Sequence, residues 1–212
     1  MKSTSPVDSA ISHFDAALRT LAGVTRASRP NPARTIRGTS ELTEEERRTA
    51  GRLMRVNHCG EICAQALYLG QGLTSSNPAT RQAMQQAAQE ESDHLAWCED
   101  RLDELDTHKS YLNPLFFAAS FAGGAVTGLI SDRVNLGFVA ATEERVIDHL
   151  EEHLEKLPQK DEESRAILEQ MKQDEDTHRT TALNHGGADF PAPVKNIMTL
   201  ASKVMTKSTY WV

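Results

Sequence analysis

EESDHLAWC at residues 90–98 and DEDTHRTTA at residues 174–182 are the stretches on which the fold turns. Each holds a Glu-x-x-His pair, Glu91 with His94 and Glu175 with His178, at positions where the surrounding pattern asks for apolar side chains. Met84, Ala87, Ala88, Leu95, Cys98, Leu102 and Leu105 recur at helical spacing, and Glu91 falls in the middle of that stripe, one turn after Ala87 and one before Leu95. Glu175 and His178 repeat the breach between Met171 and Ala182. Residues three apart on a helix share a face, so each pair projects as a unit. The motif alone carries little weight, because a chain with 18 Glu and 8 His produces it by chance.

Two lone glutamates give it weight. Glu61 shares a helical arc with Leu53, Val56, Gly60, Ala64 and Tyr68, and Glu143 lies between Ala140 and Ile147. Glu61 precedes Glu91 by 30 residues and Glu143 precedes Glu175 by 32, so the order Glu, then Glu-x-x-His, occurs twice. A buried unpaired carboxylate is costly, and four converging on one core demand cations. Ferritin-like bundles hold a carboxylate-bridged metal pair in this way, with one Glu from each of two helices and a Glu-x-x-His from each of the others. Oxygen-rich ligands with one imidazole per metal suit iron or manganese better than zinc. By analogy with such sites, Glu61 and His94 end one metal, Glu143 and His178 end the other, and Glu91 and Glu175 bridge. Amphipathic helices carrying these residues on a solvated face are the bland alternative.

Outward from these motifs the chain reads as all-α, a ferritin-like four-helix bundle with additional membrane-interfacial helices. Aromatic residues are only 5% and no run sustains strand-like alternation. Thr43 and Glu46 form a capping-box pattern that opens a helix to about Gly70, and Asn77-Pro78 opens the next, to about Leu105. Residues 136–157 and 162–183 carry the other two, stopped by Pro158 and by Gly186-Gly187. Upstream, Ile11, Phe14, Leu18 and Leu21 share helical spacing, and the Arg- and Pro-bearing residues 25–38 should form a loop. The chain thus divides into an N-terminal amphipathic segment and linker, residues 1–40, and a bundle domain, residues 41–212.

Residues 110–131 carry no charge, although Pro114, Gly123, Gly124 and Gly128 interrupt them. That length is borderline for a membrane helix, so a span, a helix lying in the interface and a buried connecting helix are all open. Near the C-terminus Val194, Ile197, Met198, Ala201, Val204 and Met205 share one face and Lys195, Lys203 and Lys207 the other. Such a basic amphipathic helix docks on the bundle or on an anionic membrane surface.

A net charge of -7 argues against a nucleic-acid partner. Cys59, Cys63 and Cys98 lack metal or redox spacing and read as reduced packing residues. The first residues lack an apolar signal core and include Asp8 and Asp15, which points to a bacterial-type cytoplasmic compartment. His149 and His153 stand one turn apart without a third zinc ligand, and His149 reads either as a partner beneath the metals or as solvated. Glu90, Glu99, Glu144, Glu151 and Glu152 read as surface charges.

The stretches MRVNHCGEICAQALYLGQ (54–71), EESDHLAWCEDRL (90–102), VNLGFVAATEERVIDHLEEHL (134–154) and DEDTHRTTAL (174–183) resemble the demethoxyubiquinone hydroxylase family, whose members are ferritin-like di-iron proteins. The likeness runs from about Leu53 onward. It implies a di-iron monooxygenase that uses dioxygen to hydroxylate the ring of a polyprenylated methoxy-benzoquinol, with NADH or another external reductant supplying electrons. It also implies a peripheral protein on the cytoplasmic face of a bacterial inner membrane, partnered by the membrane surface and by a ubiquinone-biosynthesis complex or an accessory lipid-binding protein. Asn57-His58-Cys59-Gly60 stands where the family has Asp-His-Ala-Gly, and Leu150 where eukaryotic members have tyrosine, which argues against tyrosine-mediated electron transfer at that position. Leu115, Phe116, Phe117 and Phe121 are expected to border the entrance for an isoprenoid substrate. A ferritin-like iron-binding or ferroxidase protein and a helical scaffold are the competing readings.

Overall fold

The computed structural model describes residues 6–23, 26–36, 41–75 and 77–212, with side chains throughout except at 6–10 and 13. Residues 1–5 of the N-terminal stretch and residues 25, 37 and 38 of the expected loop lie outside these ranges. Among the described residues there are seven α-helices and no strand: α1 (Pro6–Ala22), α2 (Glu44–Thr74), α3 (Pro78–Glu104), α4 (Asn113–Ile130), α5 (Asp132–Lys156), α6 (Glu162–Asn184) and α7 (Ala192–Thr209).

Local signals fix the helix ends. At α2 the Thr43 hydroxyl accepts from the Glu46 N–H (3.3 Å) while the Glu46 carboxylate accepts from the Thr43 N–H (2.8 Å), a closed capping box. Three glutamates in the first turn oppose the positive end of the helix dipole. Asn77 caps α3 through the Ala79 N–H (2.9 Å), and Asp161 caps α6 through that of Ser164 (3.0 Å). Gly186, at φ +91, lets the chain turn back so that the Gly187 N–H reaches the Ala182 carbonyl (3.0 Å) and ends α6. α2 runs four residues past the expected stop at Gly70, because Gly70 and Gly72 are held inside a helix packed on several sides.

α2 and α3 form one antiparallel hairpin and α5 and α6 the other; α4 is the long crossover between them and lies along α2. The core divides in two. One apolar cluster gathers Leu53, Met54, Trp97, Cys98, Leu150, Ile167 and Met171, and a second gathers Ala64, Tyr68, Met84, Val139, Ala140 and Ala182. On each of the four helices Glu61, Glu91, Glu143 and Glu175 fall between the residues of these two clusters, so the carboxylates lie at mid-height of the bundle.

The glycines of α4 do not break it. A Cβ on Gly124 would collide with the Leu67 carbonyl, and one on Gly70 with that of Phe121, so these glycines let two backbones touch. Thr74 Oγ1 donates to the Ala125 carbonyl (2.9 Å) across the same seam. Pro114 sits in the first turn, where its missing N–H is no loss. α4 is, among the described residues, the one helix long and apolar enough to cross a membrane, and its outer face leaves Leu115, Val126, Leu129 and Ile130 exposed.

α7 packs through few of its expected apolar residues. Met205 is buried, but Ile197 is 69% and Val204 56% exposed, while Lys195 pairs with Glu144 (3.3 Å) and Asp189 (2.9 Å). Only part of the apolar stripe therefore packs inward, and Ile197 and Val204 are left exposed.

Candidate metal centre

Six side chains from four helices converge. Glu91, Glu143 and His94 are fully buried, Glu61 and Glu175 are 1% exposed, and the His178 side chain is 9% exposed. His94 Nδ1 stands 3.3 Å from Glu61, 3.3 Å from Glu91 and 3.1 Å from Glu175. His178 Nδ1 stands 3.0 Å from Glu175 and 3.5 Å from Glu91. One ring nitrogen cannot satisfy three carboxylates, and each of the four glutamates keeps one buried oxygen without a hydrogen bond: Glu61 Oε2, Glu91 Oε1, Glu143 Oε2 and Glu175 Oε1.

The electrostatics have the same cause. Burial and the charge of Glu175 push the Glu91 and Glu143 carboxyls well above the usual range. Burial would also raise Glu175, but the hydrogen bond from His178 and the charge of the nearby His94 ring hold it down at about 2. Burial alone would lower His178, yet its carboxylate neighbours bring it to about 11, and His94 is raised in the same way. The acidic cluster thus collects positive charge on its two imidazoles, the place a cation would take. The donor atoms form two groups, Glu61, Glu91, His94 and Glu175, and Glu91, Glu143, Glu175 and His178, each within 4.8 Å and each able to hold a metal ion. Glu91 and Glu175 belong to both.

The outer nitrogens reveal residues the sequence reading missed. His94 Nε2 meets Asp174 of α6 at 2.9 Å, and His178 Nε2 meets Glu90 of α3 at 2.6 Å. Each acid directly precedes the motif glutamate of its own helix and reaches across to the histidine of the other, orienting that ring. The signal was present in the sequence, since both motifs are preceded by an acid, as Glu90-Glu91 and Asp174-Glu175. Glu90 is therefore not an idle surface charge. Nor is Glu99, which faces His58 (3.3 Å) and Lys109 (3.1 Å), because the 110–131 connection folds back beside it.

A second layer comes from the expected loop. Arg29 donates from Nε to Asp93 (2.7 Å) and contacts Asp174 through Nη2 (2.8 Å), with its guanidinium 4.9 Å over the Trp97 ring. Ser28 N–H donates to Asp93 at 2.5 Å. Pro32–Thr35 forms a short 3-10 turn, so this segment is docked against α3 and α6 rather than passing by. On the opposite side the Tyr68 hydroxyl donates to Glu143 Oε1.

His149 and His153 are both buried, and neither joins a metal-capable group among the described residues. His153 Nδ1 donates to Asn57 Oδ1 (2.7 Å), which gives Asn57 of the Asn-His-Cys-Gly run a structural role. Leu150 is core. The cysteines are free, with Cys59 and Cys98 buried.

A cavity of about 460 Å³ lies between α2, α4, α5 and α7, walled by residues such as Leu67, Phe116, Phe138, Val146, Met198 and Met205. Gly60 and Thr142, the neighbours of Glu61 and Glu143, stand on its inner wall. Of the four expected entrance residues only Phe116 lines it. Phe117 and Phe121 stack 6.4 Å apart and face Ile62, Ala66 and Leu95, and Leu115 points outward, because successive helical residues fan out by about 100°.

Four helices bringing two overlapping carboxylate-histidine groups to one buried centre define a ferritin-like bundle whose core could hold metal ions. Residues 48–209 match the model of the family described as ubiquinone biosynthesis protein COQ7. The chain is 60% identical to the 3-demethoxyubiquinol 3-hydroxylase of Ectopseudomonas mendocina (strain ymp) and 58% identical to that of Stutzerimonas stutzeri (strain A1501), each over 97% of this chain and 96% of the relative. The chain belongs to the COQ7 family of ubiquinone biosynthesis proteins.

Proposed function

We propose that this chain is a 3-demethoxyubiquinol 3-hydroxylase, a di-iron monooxygenase that hydroxylates the ring of a polyprenyl-methyl-methoxy-benzoquinol. The observation that carries the reading is the meeting of two features: a buried cluster with four orphaned carboxylate oxygens, and an apolar cavity whose wall includes the residues next to Glu61 and Glu143. The names of the full-length relatives supply the substrate.

In this reading Glu61 and His94 hold one iron, Glu143 and His178 the other, and Glu91 and Glu175 are shared. Four carboxylates offset the charge of two divalent ions, and an oxygen-rich set with one imidazole per metal suits iron. The iron pair, when bound, activates dioxygen, one atom of which enters the ring while the other leaves as water, with NADH or another external donor as reductant. The chain's own residues exclude water, through the two apolar clusters above and below the carboxylates, and fix the imidazoles through Asp174 and Glu90. The catalytic domain, residues 41–212, is completed by the leading segment through Arg29. Arg29→Gln should weaken iron binding by up to about tenfold, below the roughly 10- to 100-fold cost of losing a ligand's direct outer partner, because Arg29 acts on His94 through Asp174. An anaerobic titration with ferrous iron checks this, and unchanged affinity would remove Arg29 from the site.

A polyprenyl tail stays in the bilayer, and in this reading the enzyme works at the membrane surface, on the cytoplasmic face of the inner membrane. The outward apolar faces of α4 and α7, which flank the cavity, support this. Leu129→Glu with Ile197→Glu should release the protein from vesicles at unchanged iron content; undiminished binding would count against these faces. Accumulation of the demethoxy precursor in a strain lacking the hydroxylase provides the test of function. This chain should restore ubiquinone there, whereas a ferritin-like iron store would bind iron and leave the precursor untouched.

A further inference from the structure

Among the residues walling the apolar cavity, His149 holds the one buried side-chain nitrogen or oxygen without a hydrogen-bond partner, its Nε2. The residue is 9% exposed. Its other nitrogen, Nδ1, is 3.1 Å from the Arg145 carbonyl, an acceptor only, so Nδ1 carries the proton and Nε2 presents a lone pair. Arg145, the cation on the same wall, is engaged by Glu144 (3.3 Å) and Asp148 (2.9 Å) and cannot serve this lone pair. Asn57 is no alternative, because its carbonyl oxygen accepts from His153. Position matters as much as pairing. The His149 ring is 3.9 Å from where a Cβ on Gly60 would stand, so the imidazole lies beside α2 next to Gly60, one residue from Glu61.

A buried acceptor left unpaired is costly and persists where something else satisfies it. A ligand that fills this cavity and pairs with Nε2 needs a hydroxyl or N–H donor on an otherwise apolar body, and a quinol ring is such a molecule. We infer that His149 Nε2 accepts a hydrogen bond from a ring hydroxyl of the quinol, so that the imidazole selects the reduced ring and orients it beside Glu61 and Glu143. An oxidised quinone has no such hydrogen and would leave Nε2 unpaired, which gives the site a preference for the reduced ring. This inference rests on the quinol reading of the cavity.

The test compares two ligands on the iron-loaded chain without oxygen: a short-tailed methoxy-benzoquinol, and the same ring with both hydroxyls methylated. Wild type should bind the free quinol at least about tenfold more tightly, as sites built around a substrate hydroxyl do. His149→Leu should bring the quinol down to the affinity of its ether at unchanged iron content. His149→Gln, whose amide oxygen reaches towards the Nε2 position, should recover most of the preference. A wild type that binds both rings equally, or a His149→Leu chain that keeps the preference, overturns the role of His149 and leaves the quinol reading standing. Failure of both rings to bind wild type would sink the quinol reading and this inference with it.

Discussion

Glu175→Ala should hold at most one iron per chain and hydroxylate demethoxyubiquinol at less than about a thousandth of the wild-type rate, at several kcal/mol from the metal and 1.36 kcal/mol per tenfold. Glu175 is common to both metal-capable groups, with Oε1 3.1 Å from His94 and Oε2 3.0 Å from His178, so its loss takes an oxygen from each. Glu143→Ala touches only the group that includes His178, and should keep one tight iron while losing activity as completely. The helical content of both variants should survive, because the two apolar clusters that fix the bundle lie on either side of the carboxylates. Iron per chain, product formation and far-ultraviolet circular dichroism measure these three quantities. Full hydroxylation by either variant would overturn the ligand assignment.

Gly124→Ala and Gly123→Ala should move stability in opposite directions although they are neighbours on one helix. At Gly124 the new methyl meets the Leu67 carbonyl, a backbone group that cannot rotate away, so α4 must lift from α2. Overpacking of this kind costs about 1–3 kcal/mol, more than the helix propensity gained. At Gly123 the methyl finds nothing within 4 Å, and the lower entropy of the unfolded chain should stabilise by about 0.5–1 kcal/mol. For a domain of this size the difference should appear as a separation of roughly 3–16 °C in thermal midpoint. Equal midpoints would mean that α4 is not packed backbone to backbone on α2.

Helix ends and the helical faces bearing the carboxylates were legible in the sequence, since both depend on residues within a few positions of one another. The capping box of Thr43 and Glu46 is one case. The breach of the α3 stripe at Glu91 is another, because an acid amid apolar positions is costly wherever the helix docks. By contrast, Gly123, Gly124 and Gly128 read as interruptions when only α4 is considered, yet Gly124 and Gly128 become a packing surface once α2 lies against them, while Gly123 faces open space. The division of the α7 stripe, with Met198 and Met205 on the cavity and Ile197 exposed, is equally invisible beforehand, because an amphipathic pattern does not say whether its apolar side meets protein or solvent.

The sequence by itself determined an all-helical chain, four helices that bury acids, and their repeated Glu and Glu-x-x-His order, because periodicity and the cost of burying charge act locally. Only the tertiary structure decided that Asp174 serves His94, that Glu90 serves His178, that Arg29 reaches the site from the leading segment, and that His149 keeps a free lone pair on an apolar wall. These relations join residues as many as 145 positions apart, Arg29 and Asp174 among them, and distances across such separations are set by how the two hairpins and α4 pack.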